Sequence, residues 1–181
     1  TNIRTDQYGG SVENRSRLLF EVIDAVSEIW PKNRIGVRLS PFSDVGDISD
    51  ENPSELYKYL IESLSKIELA YLHLIEPEVR AGLTEELNKN APVSVTALYR
   101  KSFDGPLIAS GGFNRESAEK AIEVGMADMI AFGRAFIANP DLPDRFATKS
   151  QLNKPDSSTF YVGGARGYTD YPTLEQTNKS H

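Results

Sequence analysis

The sequence predicts an α/β fold of parallel strands, amounting to half of a (β/α)₈ barrel, and three observations carry that expectation. Short apolar runs alternate with helical patterns of about 10–15 residues, the signature of βαβ units. Two glycine turns, Ser110-Gly111-Gly112 and Phe132-Gly133-Arg134, each close a short apolar strand one helix apart, where such a barrel builds a phosphate clamp. Only four such strands fit in the 181 residues, whereas a full barrel has eight strands and about 250 residues.

The elements follow in order. After a polar opening with Tyr8-Gly9-Gly10-Ser11, apolar residues recur at Leu18, Leu19, Val22, Ile23, Val26 and Trp30, helical spacing with one buried face. Ser11 is placed to cap that helix and Pro31 to end it. Ile35 to Leu39 reads as a buried strand. Pro53 suits the first turn of a second helix, whose expected face is Leu56, Tyr59, Leu60, Ser63 and Leu64. A second strand is expected at Ala70 to Leu74.

The stretch Ala81 to Tyr99 is ambiguous, because Asn90-Ala91-Pro92 interrupts one helical pattern before Val93 to Arg100 begins another. Leu107-Ile108-Ala109 makes the third strand. Asn114 then caps a helix from Arg115 to Val124, which buries Ala118, Ala121 and Ile122 and stops at Gly125. Met129 to Phe132 is the fourth strand, and a short helix runs from Leu142 to Ala147. The expected organisation is one partial domain over 1–181: a loop and helix over 1–34, four strand-helix units over 35–148, and an aromatic, glycine-rich tail over 149–181.

Composition narrows the function. The net charge of −6 comes with scattered lysines and arginines, which gives nucleic-acid binding little electrostatic support. Without cysteine there is neither a disulfide framework nor thiolate chemistry, and two isolated histidines do not make a zinc site, so no metal is expected. No apolar run reaches the ~18 residues of a membrane span, so the expectation is a soluble, cytoplasmic protein. With Thr1 first and methionine only at 126 and 129, the sequence reads as a fragment.

In parallel α/β proteins ligands sit at the C-terminal ends of the strands. There, the amides of Gly111 and Gly112 can approach an anion closely, with the dipole of the following helix behind them. Gly133 and the Arg134 guanidinium can do the same from the next strand. Arg38 is the odd charge in an apolar strand. It suits either an ion pair with a carboxylate or a cation beside a ligand that becomes negative, such as a reduced flavin.

His73, between Leu72 and Leu74, reads as a hydrogen-bonded interior residue rather than a catalyst, with the rim of a pocket still open to it, and Glu76 reads as a solvated surface acid rather than an acid that supports the site from behind. Tyr161, Tyr168 and Tyr171 could cover the edge of a flat ring or simply pack.

These residues resemble the Old Yellow Enzyme family of FMN-dependent ene-reductases, in its C-terminal half. The likeness runs in family order through Arg4-Thr5-Asp6-Gln7-Tyr8-Gly9-Gly10-Ser11-Val12-Glu13-Asn14-Arg15, Gly36-Val37-Arg38-Leu39-Ser40-Pro41, Ser110-Gly111-Gly112-Phe113, Ala131-Phe132-Gly133-Arg134, Ala138-Asn139-Pro140-Asp141-Leu142 and Gly167 to Pro172.

The resemblance implies that the four strands are the fifth to eighth of a barrel and that Arg38 meets the flavin at its pyrimidine side. It further implies that Gly112, Gly133 and Arg134 take the FMN phosphate, with Ser110, Gly111 and Phe132 of the same turns also at the cofactor, and that Tyr161 lies near the dimethylbenzene edge. The implied reaction passes hydride from NADH or NADPH through the flavin to an activated alkene such as an enone. The family's substrate-orienting His pair and proton-donating Tyr would lie upstream of Thr1, so no catalytic residue is expected in this chain and the chain alone is expected to be inactive. The implied partners are the missing N-terminal half-barrel or a second copy, and the alkene substrate. The alternative is a non-catalytic half-barrel that binds a phosphate ligand or self-associates. A flavin-free phosphate-binding barrel enzyme such as an isomerase is a third reading.

Overall fold

The computed structural model describes residues 1–43, 46–77 and 94–179. Four parallel strands, β1 (Gly36–Leu39), β2 (Tyr71–Ile75), β3 (Leu107–Ser110) and β4 (Met129–Ala131), form one sheet in the order β1-β2-β3-β4. Each sits within a residue or two of its sequence-expected place, the usual uncertainty of an element end. The register pairs Val37 with Leu72 and Leu72 with Leu107, and Arg38 with His73 and His73 with Ile108.

Because side chains alternate across a strand, this register sorts the sheet into two unlike faces. One carries Val37, Leu72, Leu74, Leu107 and Ala109, all buried. The helices α1 (Val12–Ser27), α2 (Pro53–Ser65) and α3 (Val95–Tyr99) pack there, contributing Ile23, Ile61, Leu64, Val95 and Tyr99 to a single core. The other face carries Gly36, Arg38, Tyr71, His73, Ile75, Ile108 and Ser110, each exposed or half-buried. Parallel sheets are ordinarily covered on both faces.

Local chemistry fixes the helices. Ser11 caps α1 by accepting from the Asn14 amide, and Asn52 caps α2 with Pro53 in its first turn. Asn114 and Ser117 form a reciprocal capping box at α4 (Arg115–Glu123), and Gly125 follows it at φ +68°. Two expected helix faces need correction. On α1 the packed stripe is Ser16, Leu19, Phe20 and Ile23, whereas Leu18 is 60% and Trp30 53% exposed, with Val22 and Val26 also exposed. On α4 Ala118 and Ala121 are buried but Ile122 is exposed. α1 is apolar over a wider arc than one sheet face can cover.

Compactness divides the chain into Thr1–Ile130 and Ala131–His181, a boundary that falls inside β4. The second unit contains two helices that the sequence reading did not anticipate, α5 (Arg134–Ala138) and α7 (Leu174–Lys179), around the expected α6 (Leu142–Thr148). Its organiser is Arg145, only 2% exposed. Arg145 Nε donates to Asp141 Oδ1 at 2.7 Å, Nη1 to the Gln151 carbonyl at 2.6 Å and Nη2 to the Pro172 carbonyl at 3.0 Å. Phe132 stacks edge-on against Phe146 with ring centroids 5.1 Å apart. The ambiguous stretch from Ala81 lies outside the described residues up to Val93; from Val95 it is helical, as expected.

Candidate functional site

At the C-terminal ends of β1, β2 and β3 the first unit collects the polar residues that the apolar strands otherwise exclude. Arg38 projects from β1 on the open face, exposed rather than buried, so the expected cost of burying it does not arise. Among the described residues it forms no ion pair, and its register neighbour is His73.

His73 corrects the expectation of a hydrogen-bonded interior residue. It is half-buried, and its Nε2 is shielded from solvent without a hydrogen-bond partner. Burial, reinforced by the Arg38 cation, holds its pKa below the ordinary histidine value, so the neutral imidazole is favoured. Ser110 Oγ, on β3, is likewise shielded and unpartnered. Buried polar atoms are nearly always paired, so two orphans on one sheet face mark a surface that ordinary packing does not account for.

Gly111 and Gly112 follow Ser110 with φ of +113° and +69°, backbone that glycine adopts without strain. No described residue accepts a hydrogen bond from either amide. The N-terminus of α4 contributes less than expected, because Asn114 already takes the Ser117 amide. The donors this loop offers are therefore the glycine amides.

Glu76, just beyond β2, corrects the preference for a solvated surface acid. It is 7% exposed, not solvated. Oε2 accepts from the Val95 amide at 2.8 Å, and Oε1 from the Thr96 amide at 3.0 Å and the Ser94 hydroxyl at 3.1 Å. A carboxylate thus caps α3 from another strand. Ser94 ahead of an apolar helical run was a legible cap, but nothing local points to a partner 18 residues upstream.

In the second unit, Phe132 is occupied by its contact with Phe146. Gly133 precedes α5 without a side-chain cap, and Arg134 is exposed and makes no ion pair with a described residue. Tyr161 is 91% exposed and held at φ +60°, its amide donating to the Tyr168 hydroxyl at 2.8 Å. A bulky residue in that backbone region is uncommon and costs of order 1–3 kcal/mol.

Residues 1–153 match the NADH:flavin oxidoreductase / NADH oxidase family. The chain is 45% identical over 178 residues to 12-oxophytodienoate reductase 2 of Arabidopsis thaliana, covering 97% of this chain and 46% of that protein. Among solved structures it resembles morphinone reductase in complex with tetrahydroNAD, with a TM-score of 0.83 at 45% identity over 96% of this chain and 45% of that one. It also resembles an old yellow enzyme homologue from Zymomonas mobilis, with a TM-score of 0.87 at 40% identity over 96% of this chain and 48% of that one. The chain spans about half the length of the relatives it matches.

Proposed function

The chain belongs to the NADH:flavin oxidoreductase / NADH oxidase family, that of the Old Yellow Enzymes, and on that premise we propose that it forms part of an FMN-dependent ene-reductase of the cytoplasm. The observation that carries the reading is the concentration of anion-compatible donors at the C-terminal strand ends. Arg38 stands unneutralised by any described carboxylate, and Gly111 and Gly112 have uncommitted amides. These features fit a flavin nucleotide, whose phosphate and pyrimidine edge both call for such donors.

When bound, the flavin would supply hydride transfer from NAD(P)H to the β-carbon of an activated alkene such as an enone. The chain's own residues bind and orient. The Ser110-Gly111-Gly112 turn and, by family likeness, the Phe132-Gly133-Arg134 turn hold the phosphate. Arg38 stabilises negative charge at the pyrimidine side, and Tyr161 borders the dimethylbenzene edge. Substrate orientation and proton donation belong to strands that the four described ones do not include. Turnover therefore requires a complementary half-barrel, in the same polypeptide or another, or a second copy, set against the open sheet face. The chain by itself is inactive in this reading.

The test is the visible spectrum and FMN titration of the protein assembled with its complementary half-barrel. Flavin absorbance that bleaches anaerobically with NADPH and returns on adding 2-cyclohexenone supports the assembled site. A protein that neither carries nor binds FMN overturns it and favours the bare half-barrel. Arg134→Ala is expected to weaken FMN affinity about tenfold or more, the worth of one charge-assisted phosphate contact. Unchanged affinity removes Arg134 from the phosphate site.

A further inference from the structure

The open face of the sheet sets a cation and an imidazole side by side. Arg38 and His73 are register partners on adjacent parallel strands, so their side chains leave the same face about 4.8 Å apart at the backbone. On that face His73 is flanked by Tyr71 and Ile75 along β2 and by Ile108 and Ser110 on β3. Helices α1, α2 and α3 pack against the opposite face. Among the described residues, Arg38 is thus the charged group that faces His73, with Tyr71 the other titratable one. No described carboxylate compensates the pair, and Nε2 has no partner.

We propose that His73 is a proton-linked positioning residue for Arg38, neutral while the guanidinium has no counter-charge and protonated when negative charge is brought against it. The reasoning is electrostatic. Burial first, and then repulsion from the unneutralised Arg38 cation on the adjacent strand, hold the His73 pKa low and favour the neutral imidazole. An anion against Arg38 cancels that repulsion and raises the His73 midpoint.

Resting on the flavin reading above, the consequence is stoichiometric. Hydride from NAD(P)H gives the flavin ring one negative charge and leaves the nicotinamide oxidised, and the proton that joins His73 comes from solvent. One hydride and one proton then enter the site together, and the reduced ring meets two positive groups instead of one.

The test begins on the flavin-free chain. It contains only two histidines, so His181→Gln leaves His73 as the sole imidazole signal in a pH titration followed by NMR. Arg38→Gln is expected to raise the His73 midpoint, and Arg38→Glu, which places negative charge across the register, to raise it further, with about tenfold tighter proton binding overall. Identical midpoints in all three chains overturn the proposal.

The second arm is the flavin midpoint potential of the FMN-loaded protein against pH. Between the two His73 midpoints the slope is expected to be steeper by about 30 mV per pH unit than in His73→Gln. Equal slopes with a coupled imidazole series confine the link to the empty site and overturn its flavin role. A protein that binds no FMN overturns the ene-reductase reading instead, while the imidazole series still decides whether charge at position 38 governs the proton on His73.

Discussion

Single residues here do their work through backbone geometry as much as through side chains. Gly112 at φ +69° offers its amide because no Cβ penalises that conformation. Gly112→Ala is expected to cost about 1–2 kcal/mol, read as a shift of the denaturation midpoint, and to weaken FMN binding beyond what the lost stability explains. Glu76→Gln should destabilise by about 1–3 kcal/mol, because an amide cannot accept from Ser94, Val95 and Thr96 without turning a donor toward one of them. Arg38 shows how far residue-level legibility reaches. Its charge among apolar neighbours marked it correctly as unusual, yet the reason given was burial, and the structure leaves it in the open. Glu76 was illegible because its three donors arrive from a distant helix, which local sequence does not announce.

At the scale of elements, packing explains the readings that missed. Two apolar arcs on α1 look like one wide stripe in the sequence, and only the sheet decides which arc is covered: Ile23 is, Leu18 is not. α5 and α7 escaped because five or six residues are too few to show a helical period. The β1–β2 pair contains a sharper dependence. A Cβ on Gly36 would lie 2.2 Å from the Tyr71 ring, so the glycine makes room for an aromatic crossing from the next strand. Gly36→Ala is expected to destabilise in the native background and to be nearly neutral in Tyr71→Ala. Additive effects in that double-mutant cycle would show that the ring moves aside freely. In the second unit, Arg145→Ala strands the largely buried Asp141 and frees two carbonyls. A loss of about 3–5 kcal/mol is expected, read as early proteolysis of the tail after Asn153.

For the whole molecule, strand count and order were legible because parallel strands separated by helices leave a strong alternating pattern. The half-barrel expectation rests on arithmetic alone, four strands against eight, and the described residues show four parallel strands in one sheet. What the open face would need could not be read, since exposure is a property of the assembled sheet.

Acid should loosen both units. The Leu107 amide and Arg100 hold Asp128 below its ordinary 3.8. At Asp141 burial pushes the other way, but the Leu174 amide and Arg145 together outweigh it, and that carboxyl too lies low. Depressed carboxylates contribute stability at neutral pH that is lost as pH falls through their folded values, so unfolding is expected to set in below 3.8 rather than between 5 and 8.

The Glu76 clamp reaches further than one helix cap. By tying the exit of β2 to the start of α3, it joins a strand end to a helix start 18 residues away in sequence, so the two part only when three hydrogen bonds break together.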